Sequence, residues 1–519
     1  MPRLHAALPP LLALSALPLL AGCVVGPHYR RPSLPPVHTY SPTPLPRSTA
    51  SAPGIAAGAA QRFDTTRAIS AEWWTLFHSP ALDRLIGRAL AANPTIDAAV
   101  AALKETQETV YAQRGYFYPT VQASYQAQRI RLSGNTASSS APGVQGNGEN
   151  IAPLGPAEPV TYNFHTAQVT VGFVPDVFGG NRRQVESLQA QADAARYQLD
   201  AAHVTLSANV VAAALQEAST RAQIDAVNRI IRSNRRSLQI LRRQLELGYA
   251  ARPDVAQQEL ALAQARSLLP PLERQLALTR DLMRTLVGNA PDEDVPETFT
   301  LESLHLPERL PLSLPSQLIA QRPDVLAAEA QVRSASAQVG VAVANRLPQF
   351  SITGTLGGQA NRITQMFWSS GTFWSVIGNA SKPLFDAGTL KHRQRAAEQA
   401  LAQAAAQYRS TALTAFQNVA DVLHALYSDA DALRSAVAAE QAAAATLDVS
   451  RRQYRTGYTD CLPVLTAQVA YQQAVIARVQ TQAARLGDTA ALFQALGGGW
   501  WNEGPDSALR QDHRDSGDR

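Results

Sequence analysis

Two stretches of the chain, residues 181–246 and 389–456, contain neither proline nor glycine. Each runs for about 66 residues, roughly five times the length of an ordinary helix. A helix rises about 1.5 Å per residue, so each stretch predicts a rod of roughly 100 Å, far longer than a bilayer is thick. Both are rich in Ala, Gln, Arg and Glu, which excludes a membrane span. The sequence therefore predicts two long, water-exposed helices of the coiled-coil type.

The second stretch carries a heptad seam, because its apolar residues step alternately by three and four. Glu440 interrupts the pattern, which then continues to Tyr454. A seam of this kind predicts a packing surface and by itself indicates no chemistry. Its first members are Phe416, Val419, Leu423, Leu426, Ala430, Leu433 and Val437.

The chain is an internal duplication, a property that constrains the fold more than any single element does. Similar segments recur at an offset of 229 residues near the start of each half, and at 208 or 209 residues farther on. The first half has therefore gained about twenty residues in between. The matched residues are Pro94 with Pro323, Pro119 with Pro348, Gly180 with Gly388, Gly248-Tyr249 with Gly457-Tyr458, and Leu286-Val287-Gly288 with Ala495-Leu496-Gly497.

The extra residues fall in a segment without apolar period, residues 133–159, which is crowded with Gly, Ser, Asn and Pro and predicts a long exposed loop. Its flanks alternate apolar and polar side chains, as strands do. The second half has a matching, less regular pair. The predicted strands span about 120–132, 161–174, 349–358 and 372–383.

Four strands of about ten residues have the length and alternation of outer-membrane strands, but they cannot close on themselves in lipid. Closure would come from other copies of the chain. A dimer supplies about eight strands and a trimer about twelve, and twelve suit an open lumen better. Because the alternation is a weak pattern, a small soluble sheet capped by helices is the alternative.

The predicted fold class is mainly α with a small transmembrane β part, built from a duplicated repeat of helix, hairpin, very long helix and helix. The first repeat is expected at residues 71–310, with its long helix at about 181–247. The second is expected at residues 311–500, with its long helix at about 389–456.

The N-terminus predicts export, since residues 1–22 combine a basic residue, an apolar run and small residues in the manner of a signal peptide. The sequence LAGC that ends at Cys23 resembles a bacterial lipobox, which implies that Cys23 is acylated and becomes the first mature residue. Val24 rather than Asp after it implies the outer membrane. Several acyl chains, at about 0.8 kcal/mol per buried methylene, would anchor the chain firmly in lipid. Ordinary secretory cleavage beside an incidental cysteine is the alternative.

Two segments lack any regular spacing of apolar residues. Residues 23–70 are rich in proline, which predicts an extended tether between the lipid and the folded body. Residues 501–519 are charged and contain glycine, so we expect a disordered tail.

The remaining composition argues against most kinds of chemistry. Cys461 is the only other cysteine, so the sequence predicts no disulfide framework. The formal net charge is +5, and no basic cluster is interleaved with aromatic residues, so nucleic acid is not an expected partner. The ten histidines form no His-Glu-x-x-His pair, and neither a nucleophile elbow nor a phosphate loop occurs. We therefore expect no enzyme activity, no cofactor and no metal site.

Five groups of short motifs carry a family resemblance. They are Cys23-Val24-Val25-Gly26-Pro27 with Tyr29 and Arg31-Pro32, Trp73-Trp74 with Phe77, Leu314-Pro315-Ser316, Gln321-Arg322-Pro323-Asp324-Val325, and Leu496-Gly497-Gly498-Gly499-Trp500. Together they resemble the outer-membrane factors of the TolC and OprM type, in the lipoprotein NodT subfamily. The resemblance implies a homotrimer, in which a 12-stranded β-barrel in the outer membrane continues into an α-helical tunnel through the periplasm. It also implies two partners at the far end of the tunnel, a periplasmic adaptor and an inner-membrane pump that we expect to be proton-driven.

The implied function is a channel that passively conducts drugs or other toxic small solutes from the pump to the exterior. Two alternatives stay open. The same duct would serve protein secretion if its partner were an ATP-driven exporter. A structural lipoprotein or a periplasmic adaptor would form no channel at all, and conductance in a lipid bilayer separates this class from the others.

In the channels that the chain resembles, the tunnel narrows at the ends of the long helices farthest from the barrel, which correspond to Gly248-Tyr249 and Gly457-Tyr458. Charged and hydrogen-bonding residues crowd the second turn, and bonds among them would hold the helix ends inward until an adaptor biases a two-state element. A solvated charged end, with almost no stabilisation per ion pair, is the alternative. The predicted gate residues are Asp448, Arg451, Tyr454, Arg455 and Asp460.

The same turns predict the adaptor contact, because prolines open the return helices and apolar side chains lie beside an exposed turn. The predicted docking residues are Gly248, Tyr249, Asp254, Val255, Gly457, Tyr458, Val464 and Leu465.

Overall fold

The computed structural model describes residues 24–44, 46–64, 66, 69–133 and 159–502. The predicted signal peptide, the predicted lipidation site Cys23, most of the predicted loop at 133–159 and the tail from residue 503 lie outside the described residues.

The described residues are mainly helical, and the predicted fold class is confirmed. Two helices of 67 residues coincide with the two stretches that lack proline. No helix in the described ranges has both the length and the apolar character of a bilayer span. The helices of this part of the chain are α1 (Pro80–Ala92), α2 (Pro94–Arg114), α3 (Gly180–Glu246), α4 (Arg252–Ser267), α5 (Leu269–Leu286), α6 (Pro315–Gln321), α7 (Pro323–Ala344), α8 (Thr389–Arg455) and α9 (Cys461–Ala495).

The four predicted strands form one antiparallel sheet in the order β2-β3-β5-β6. Each hairpin pairs its own two strands, and β3 of the first repeat pairs with β5 of the second, with Val169 opposite Leu356. A second, two-stranded sheet pairs β1 and β4 in parallel. The strands are β1 (Arg62–Asp64), β2 (Thr120–Leu132), β3 (Val160–Phe173), β4 (Arg309–Pro311), β5 (Gln349–Ala360) and β6 (Thr372–Ser381).

Close packing divides the chain into two compact units that cut across the repeats. Within the described ranges, the first unit comprises residues 24–30, 106–190 and 333–403, and it contains the four-stranded sheet. The second unit comprises residues 31–105, 191–332 and 404–502. Each unit therefore draws elements from both halves of the duplication.

The first unit fixes the Val25-Gly26 motif against α3 and α7. Arg183 on α3 is buried; its Nε atom donates to the Val25 carbonyl oxygen at 3.0 Å, and its Nη1 atom pairs with Glu186 at 2.7 Å. Gly26 has φ of +96°, and a Cβ atom there would lie 2.4 Å from the Gly340 Cα atom. Only glycine fits this combination of left-handed backbone and close approach.

The second unit has an aromatic core at the start of the first repeat. Trp73 is buried and stacks on Phe493 of α9, with ring centroids 5.2 Å apart and planes 15° from parallel. Phe77 meets the edge of Trp73 at 6.4 Å. The apolar face of α1 also lies in this core, because Leu82, Leu85, Ile86 and Ala89 are fully buried.

The proline-rich segment predicted as a tether is held along the second unit from residue 31 to residue 64. Arg31 pairs with Glu329 at 2.7 Å, and Tyr40 donates to the Ser313 carbonyl oxygen at 2.8 Å. Arg485, fully buried on α9, donates to the carbonyl oxygens of Ala50 at 3.2 Å and Ala59 at 2.7 Å. The segment has no hydrophobic period because its backbone is irregular. Side chains, rather than a helix or a sheet, supply hydrogen bonds to its backbone carbonyl groups.

Candidate functional site

The two turns that follow the long helices have the same local geometry. Gly248 and Gly457 take left-handed φ values of +78° and +75°. Behind them Tyr249 N–H bonds to the Gln244 carbonyl oxygen at 2.7 Å, and Tyr458 N–H bonds to the Gln453 carbonyl oxygen at 2.9 Å. This is the helix C-cap in which glycine avoids the steric cost of a side chain. The duplication therefore builds two matched helix tips per chain.

The structure places the predicted docking residues at different depths around the two tips. Tyr249 and Tyr458 are strongly exposed, and so are the neighbouring Leu247 and Leu462, which the sequence analysis missed. The remaining predicted residues are placed as follows: Gly248 and Gly457 at the turns, Val464 half-buried, and Asp254 capping α4 by accepting from Ala251 N–H at 3.1 Å.

Val255 and Leu465 require a correction. They are only 9% and 8% exposed and belong to the apolar core beneath the tips. Each lies two residues after the proline of its return helix, on the helix face that packs against the core. Their role is therefore to bury apolar area beneath the tips. In the described chain they support the tips and do not form a contact surface.

Cys461 lies in the same core as a free thiol. Burial, with the nearby negative charges of Asp254 and Asp460, raises the pKa of Cys461 to about 11. The thiol therefore stays protonated at neutral pH and acts as a small apolar side chain.

Two predicted gate residues on α8 bond to α3. Tyr454 Oη donates to Gln244 Oε1 at 2.8 Å, and Arg451 Nη2 donates to Ser233 Oγ at 3.3 Å. Burial is the main cause that raises the pKa of Tyr454, so the phenol remains a donor at neutral pH. The two hydrogen bonds tie the end of one long helix to the other.

The other three predicted gate residues do not make such links. Asp448 pairs with Arg452 at 2.7 Å along α8 itself, with both side chains about two-thirds exposed. Arg455 is exposed, and Asp460 stands exposed at the start of α9 without a side-chain cap. At the first tip, Arg243 likewise pairs with Glu246 on its own helix, at 2.8 Å.

A polar groove of about 480 Å³ lies between α3, α8 and α9 next to the Arg451 link. Arg229, Arg451 and Tyr471 line it, together with Glu440 and Arg478, whose carboxylate and guanidinium lie 2.5 Å apart. Glu440 interrupts the heptad seam because it faces this arginine. Arg451 thus joins α8 to α3 here and Glu440 joins α8 to α9, beside the buried apolar side chains of Ile230 and Leu447.

Closer to the tips, three buried amides form a layer that the sequence analysis missed. Asn234 on α3, Gln258 on α4 and Gln468 on α9 are all buried. Gln258 Nε2 donates to the Asn234 carbonyl oxygen at 3.2 Å, and Gln468 donates to the Asn234 side chain. Asn234 Nδ2 donates to the Ala261 carbonyl oxygen at 3.3 Å. The sequence feature that could have predicted this layer is a polar residue at a core-facing position of each of these three helices.

The sequence profile of the outer membrane efflux protein family matches residues 85–289 and again residues 314–498. The chain belongs to this family. The two matched segments correspond to the two repeats. Membership confirms the resemblance found in the sequence and makes the protein an efflux channel component of the outer membrane; the proteins of this family are channels rather than enzymes.

Curated relatives and solved structures agree with this membership. The chain is 28% identical over 442 residues to the pyoverdine export outer membrane protein OpmQ of Pseudomonas putida, covering 83% of this chain and 89% of the relative. It is 26% identical over 492 residues to the toluene efflux pump outer membrane protein TtgC of Pseudomonas putida, covering 95% and 96%. The outer-membrane channel OprN superposes with a TM-score of 0.79 at 26% identity, over 92% of this chain and all of that one.

Proposed function

We propose that three copies of this protein form the outer-membrane channel of a tripartite efflux system. The channel passively conducts drugs or other toxic small solutes, which it receives from a proton-driven inner-membrane pump and a periplasmic adaptor. The export of pyoverdine and toluene by relatives supports small solutes as the cargo. Lipid attached to Cys23 anchors each copy in the outer membrane.

One observation carries the proposal: the four-stranded sheet ends in two edges, β2 and β6, that pair with no other strand in the described residues. Unpaired backbone groups at a sheet edge are not tolerated in lipid. Strands of further copies would pair with both edges, and three copies supply about twelve strands, enough for a water-filled lumen.

The helix tips act as the periplasmic gate. The links from Tyr454 to Gln244 and from Arg451 to Ser233 hold α8 against α3 in the closed state. A hydrogen bond of this kind contributes about 1–2 kcal/mol, so six links in a trimer amount to roughly 6–12 kcal/mol at most. An adaptor that binds the two tips of each chain in the open state, with a coupling of about 1–3 kcal/mol per chain, can offset much of this. The exposed pairs, such as Asp448 with Arg452, contribute little.

The adaptor docks on the exposed tips. Tyr249 and Tyr458 project beside the left-handed glycines, and the duplication gives six such tips in a trimer. Tyrosine supplies apolar area and a hydrogen-bonding end at low cost in conformational entropy, which suits a contact that forms and separates.

The test is a purified, lipid-modified protein in planar lipid bilayers, combined with its mass in mild detergent. We expect a mass of three chains and a conductance that is small in the closed state. Deletion of the gene should sensitise the host to small toxic solutes, and the full chain should restore resistance. A monomer that leaves bilayers ion-tight would contradict the proposal.

A further inference from the structure

One face of the four-stranded sheet is apolar along most of its length. Val121 on β2, Val169 and Val171 on β3, Leu356 on β5 and Val376 on β6 lie on this face, each between 39% and 70% exposed. The alternate positions of β2 and β5 carry mainly Gln, Ser and Thr. In the proposed channel the apolar face is the one that contacts lipid, because a membrane barrel carries its apolar band on the outside.

This face becomes cationic toward the end of β2. Arg129 and Arg131 are exposed, and they lie eight and ten residues after Val121, an even spacing that places all three on one face. At roughly 3.4 Å per residue, Arg129 is about 27 Å from Val121 along the strand. A strand tilted by roughly 40° rises about 21 Å over that length, and an apolar band is about 25 Å tall. The two arginines therefore lie at the border of the band.

The border in question is the one that points away from the helices. Helices α2 and α7 lead into β2 and β5, and β3 and β6 lead into α3 and α8, so all helical connections lie at one end of the sheet. The arginines lie at the opposite end, where the strands of each hairpin are connected to each other. In the proposed channel the helices extend into the periplasm, so the arginine end lies in the outer leaflet of the membrane.

A third arginine lies at the same end, and the sheet supplies no counter-charge. Arg362 is exposed and follows Ala360, the last residue of β5, in extended backbone with φ of −133° and ψ of +138°. Neither the four strands nor residues 361–371 contain Asp or Glu. Within the described ranges, Arg129, Arg131 and Arg362 form no ion pair. Three uncompensated guanidinium groups therefore mark this end of the sheet.

Aromatic side chains accompany the arginines. Tyr125 Oη and His165 Nδ1 share a hydrogen bond of 2.9 Å, and their rings stack with planes 11° from parallel. In the connection between β5 and β6, Phe367 is 70% and Trp368 is 57% exposed. A Cβ atom on Gly358 would lie 3.2 Å from the ring of Phe367, so this connection folds over the apolar face. Exposed aromatic rings next to basic residues are typical of a membrane–water interface.

We propose that Arg129, Arg131 and Arg362 bind the phosphate groups of an outer-leaflet glycolipid that carries phosphate on its sugar. The planar guanidinium group binds two phosphate oxygens at once, which makes arginine the side chain best suited to this ligand. The inference rests on the proposed channel, which places this end of the sheet in the outer leaflet, and it adds a lipid ligand to that function.

The apolar face favours a lipid over a free anion as the ligand. A phosphate bound by the arginines lies directly above the apolar band, where the acyl chains of the same lipid contact valine, leucine and aromatic side chains. A free phosphate ion would use the charges and leave this apolar surface uncovered. The competing counter-charges within the chain are Glu149 and Glu158, in the segment between β2 and β3.

The test measures lipid binding to the full-length, lipid-modified protein in a zwitterionic detergent. The probe is diphosphoryl lipid A, and native mass spectrometry counts the lipids bound to each trimer. The variant combines Arg129→Gln, Arg131→Gln and Arg362→Gln. Attraction to an anionic membrane surface amounts to roughly fivefold in affinity per basic residue, so we expect the apparent Kd to rise by about tenfold to a hundredfold.

Two further probes separate the phosphate groups from the rest of the lipid. Lipid A without its phosphates should bind the unmodified protein and the triple variant equally. Inorganic phosphate at the same concentration should not displace lipid A, because it has no acyl chains. Displacement would overturn the inference in favour of a site for free anions.

The opposite end of the sheet provides the matched control. Lys382→Gln, Arg393→Gln and Arg395→Gln remove the same charge from exposed positions at the helical end. These positions lie much farther from the arginine end than a Debye length of roughly 8 Å, so the apparent Kd should stay within about twofold of the original.

The remaining outcomes are distinct. If the protein is a trimer and the arginine variant binds diphosphoryl lipid A as tightly as the control does, the inference is overturned while the proposed channel stands. The inference also fails if the arginine variant and Glu149→Gln with Glu158→Gln lower the thermal midpoint equally without added lipid, because the guanidinium groups would then pair within the chain. A mass of one chain would overturn both the inference and the proposed channel.

Discussion

Arg322 donates through Nη1 to the carbonyl oxygen of Ala495 at 2.9 Å and thereby caps the C-terminal end of α9. The first repeat makes the same contact with a different residue, because Asn93 Nδ2 donates to the Leu286 carbonyl oxygen at 2.9 Å at the end of α5. The two donors and the two acceptors are related by the offsets of the duplication. The Arg-Pro-Asp motif is therefore a helix-end clamp, with Asp324 pairing to Arg322 at 2.9 Å.

Substitution of Arg322 should destabilise the protein. Arg322→Met keeps the apolar stem but leaves the end of α9 without its donor, so we expect a loss of about 2 kcal/mol in the free energy of unfolding. Thermal unfolding followed by circular dichroism in detergent would measure it. Arg434→Met is the control, because Arg434 makes only an exposed pair with Asp431, and its effect should stay within about 0.5 kcal/mol. Equal midpoints for the two variants would show that the clamp has no net effect.

The gate makes a prediction about conductance. Tyr454→Phe combined with Arg451→Ala removes both donors from α8 to α3, and we expect a larger single-channel conductance or a higher open fraction in planar bilayers. At about 1–2 kcal/mol per link, the open fraction should rise by at least about tenfold while the closed state still predominates. The physical reason is loss of closed-state stabilisation, so trimer yield should not change.

A matched double substitution separates the gate from a general charge effect. Asp448→Ala with Arg452→Ala removes an exposed pair on the same helix within two turns of Tyr454. We expect conductance close to that of the unmodified protein. If removal of this pair increased the conductance as much as the Tyr454 and Arg451 substitutions did, the hydrogen bonds to α3 would not be what holds the channel closed.

The sequence predicts the regular elements well, for physical reasons that particular residues illustrate. The long helices are predictable because proline and glycine, the two residues that most disfavour a helix interior, are absent over more than sixty residues. The hairpins are visible because apolar side chains alternate, as at Val169 and Val171. Pro270 and Pro271 predict a break and a local kink in the first return helix, and the structure ends α4 and begins α5 there, since proline fits the first turn of a new helix.

Contacts between elements are less predictable. Tyr454 and Arg451 are recognisable as polar residues near a turn, but their partners Gln244 and Ser233 lie more than two hundred residues away. Arg455 has the same character in the sequence and lies exposed in the structure. The sequence specifies which residues can bond, whereas the relative rotation of two packed helices decides which of them do.

The buried amide layer makes a prediction that tests its role in pairing the helices. Asn234→Leu alone leaves the Gln468 amide buried without its acceptor, so we expect a loss of about 1–3 kcal/mol in the free energy of unfolding. Replacing Asn234, Gln258 and Gln468 together by Leu removes all three polar groups, and this triple variant should be as stable as the original or more so. Thermal unfolding of the three proteins would measure both effects.

We expect the triple variant to lose specificity in the register at which its helices pair. A polar layer in a helical seam favours one register, because a shifted pairing leaves amides unsatisfied. Without it, we expect more variable conductance levels in planar bilayers at unchanged stability. A triple variant less stable than Asn234→Leu would contradict this view of the layer.

Asp488 on α9 makes a prediction about pH. Burial, together with the hydrogen bond to Asp429 on α8 and its negative charge, raises the pKa of Asp488 to about 7. The ordinary value of an Asp is 3.8, so between these values the folded chain binds a proton that the unfolded chain has lost. The contribution to stability is therefore complete below about pH 4 and is lost as the pH rises through about 7.

We expect the thermal midpoint to rise when the pH is lowered from about 8 to about 6, because this is where Asp488 takes up its proton. Asp488→Asn imitates the protonated carboxyl group, so the variant should have a higher midpoint at about pH 8 and a flatter dependence on pH. Asp421→Asn on the exposed side of α8 is the control, and its pH profile should match that of the unmodified protein. If Asp488→Asn kept the original slope, the shared proton between α8 and α9 would have to be assigned to other groups, since no charge would remain at position 488 to titrate.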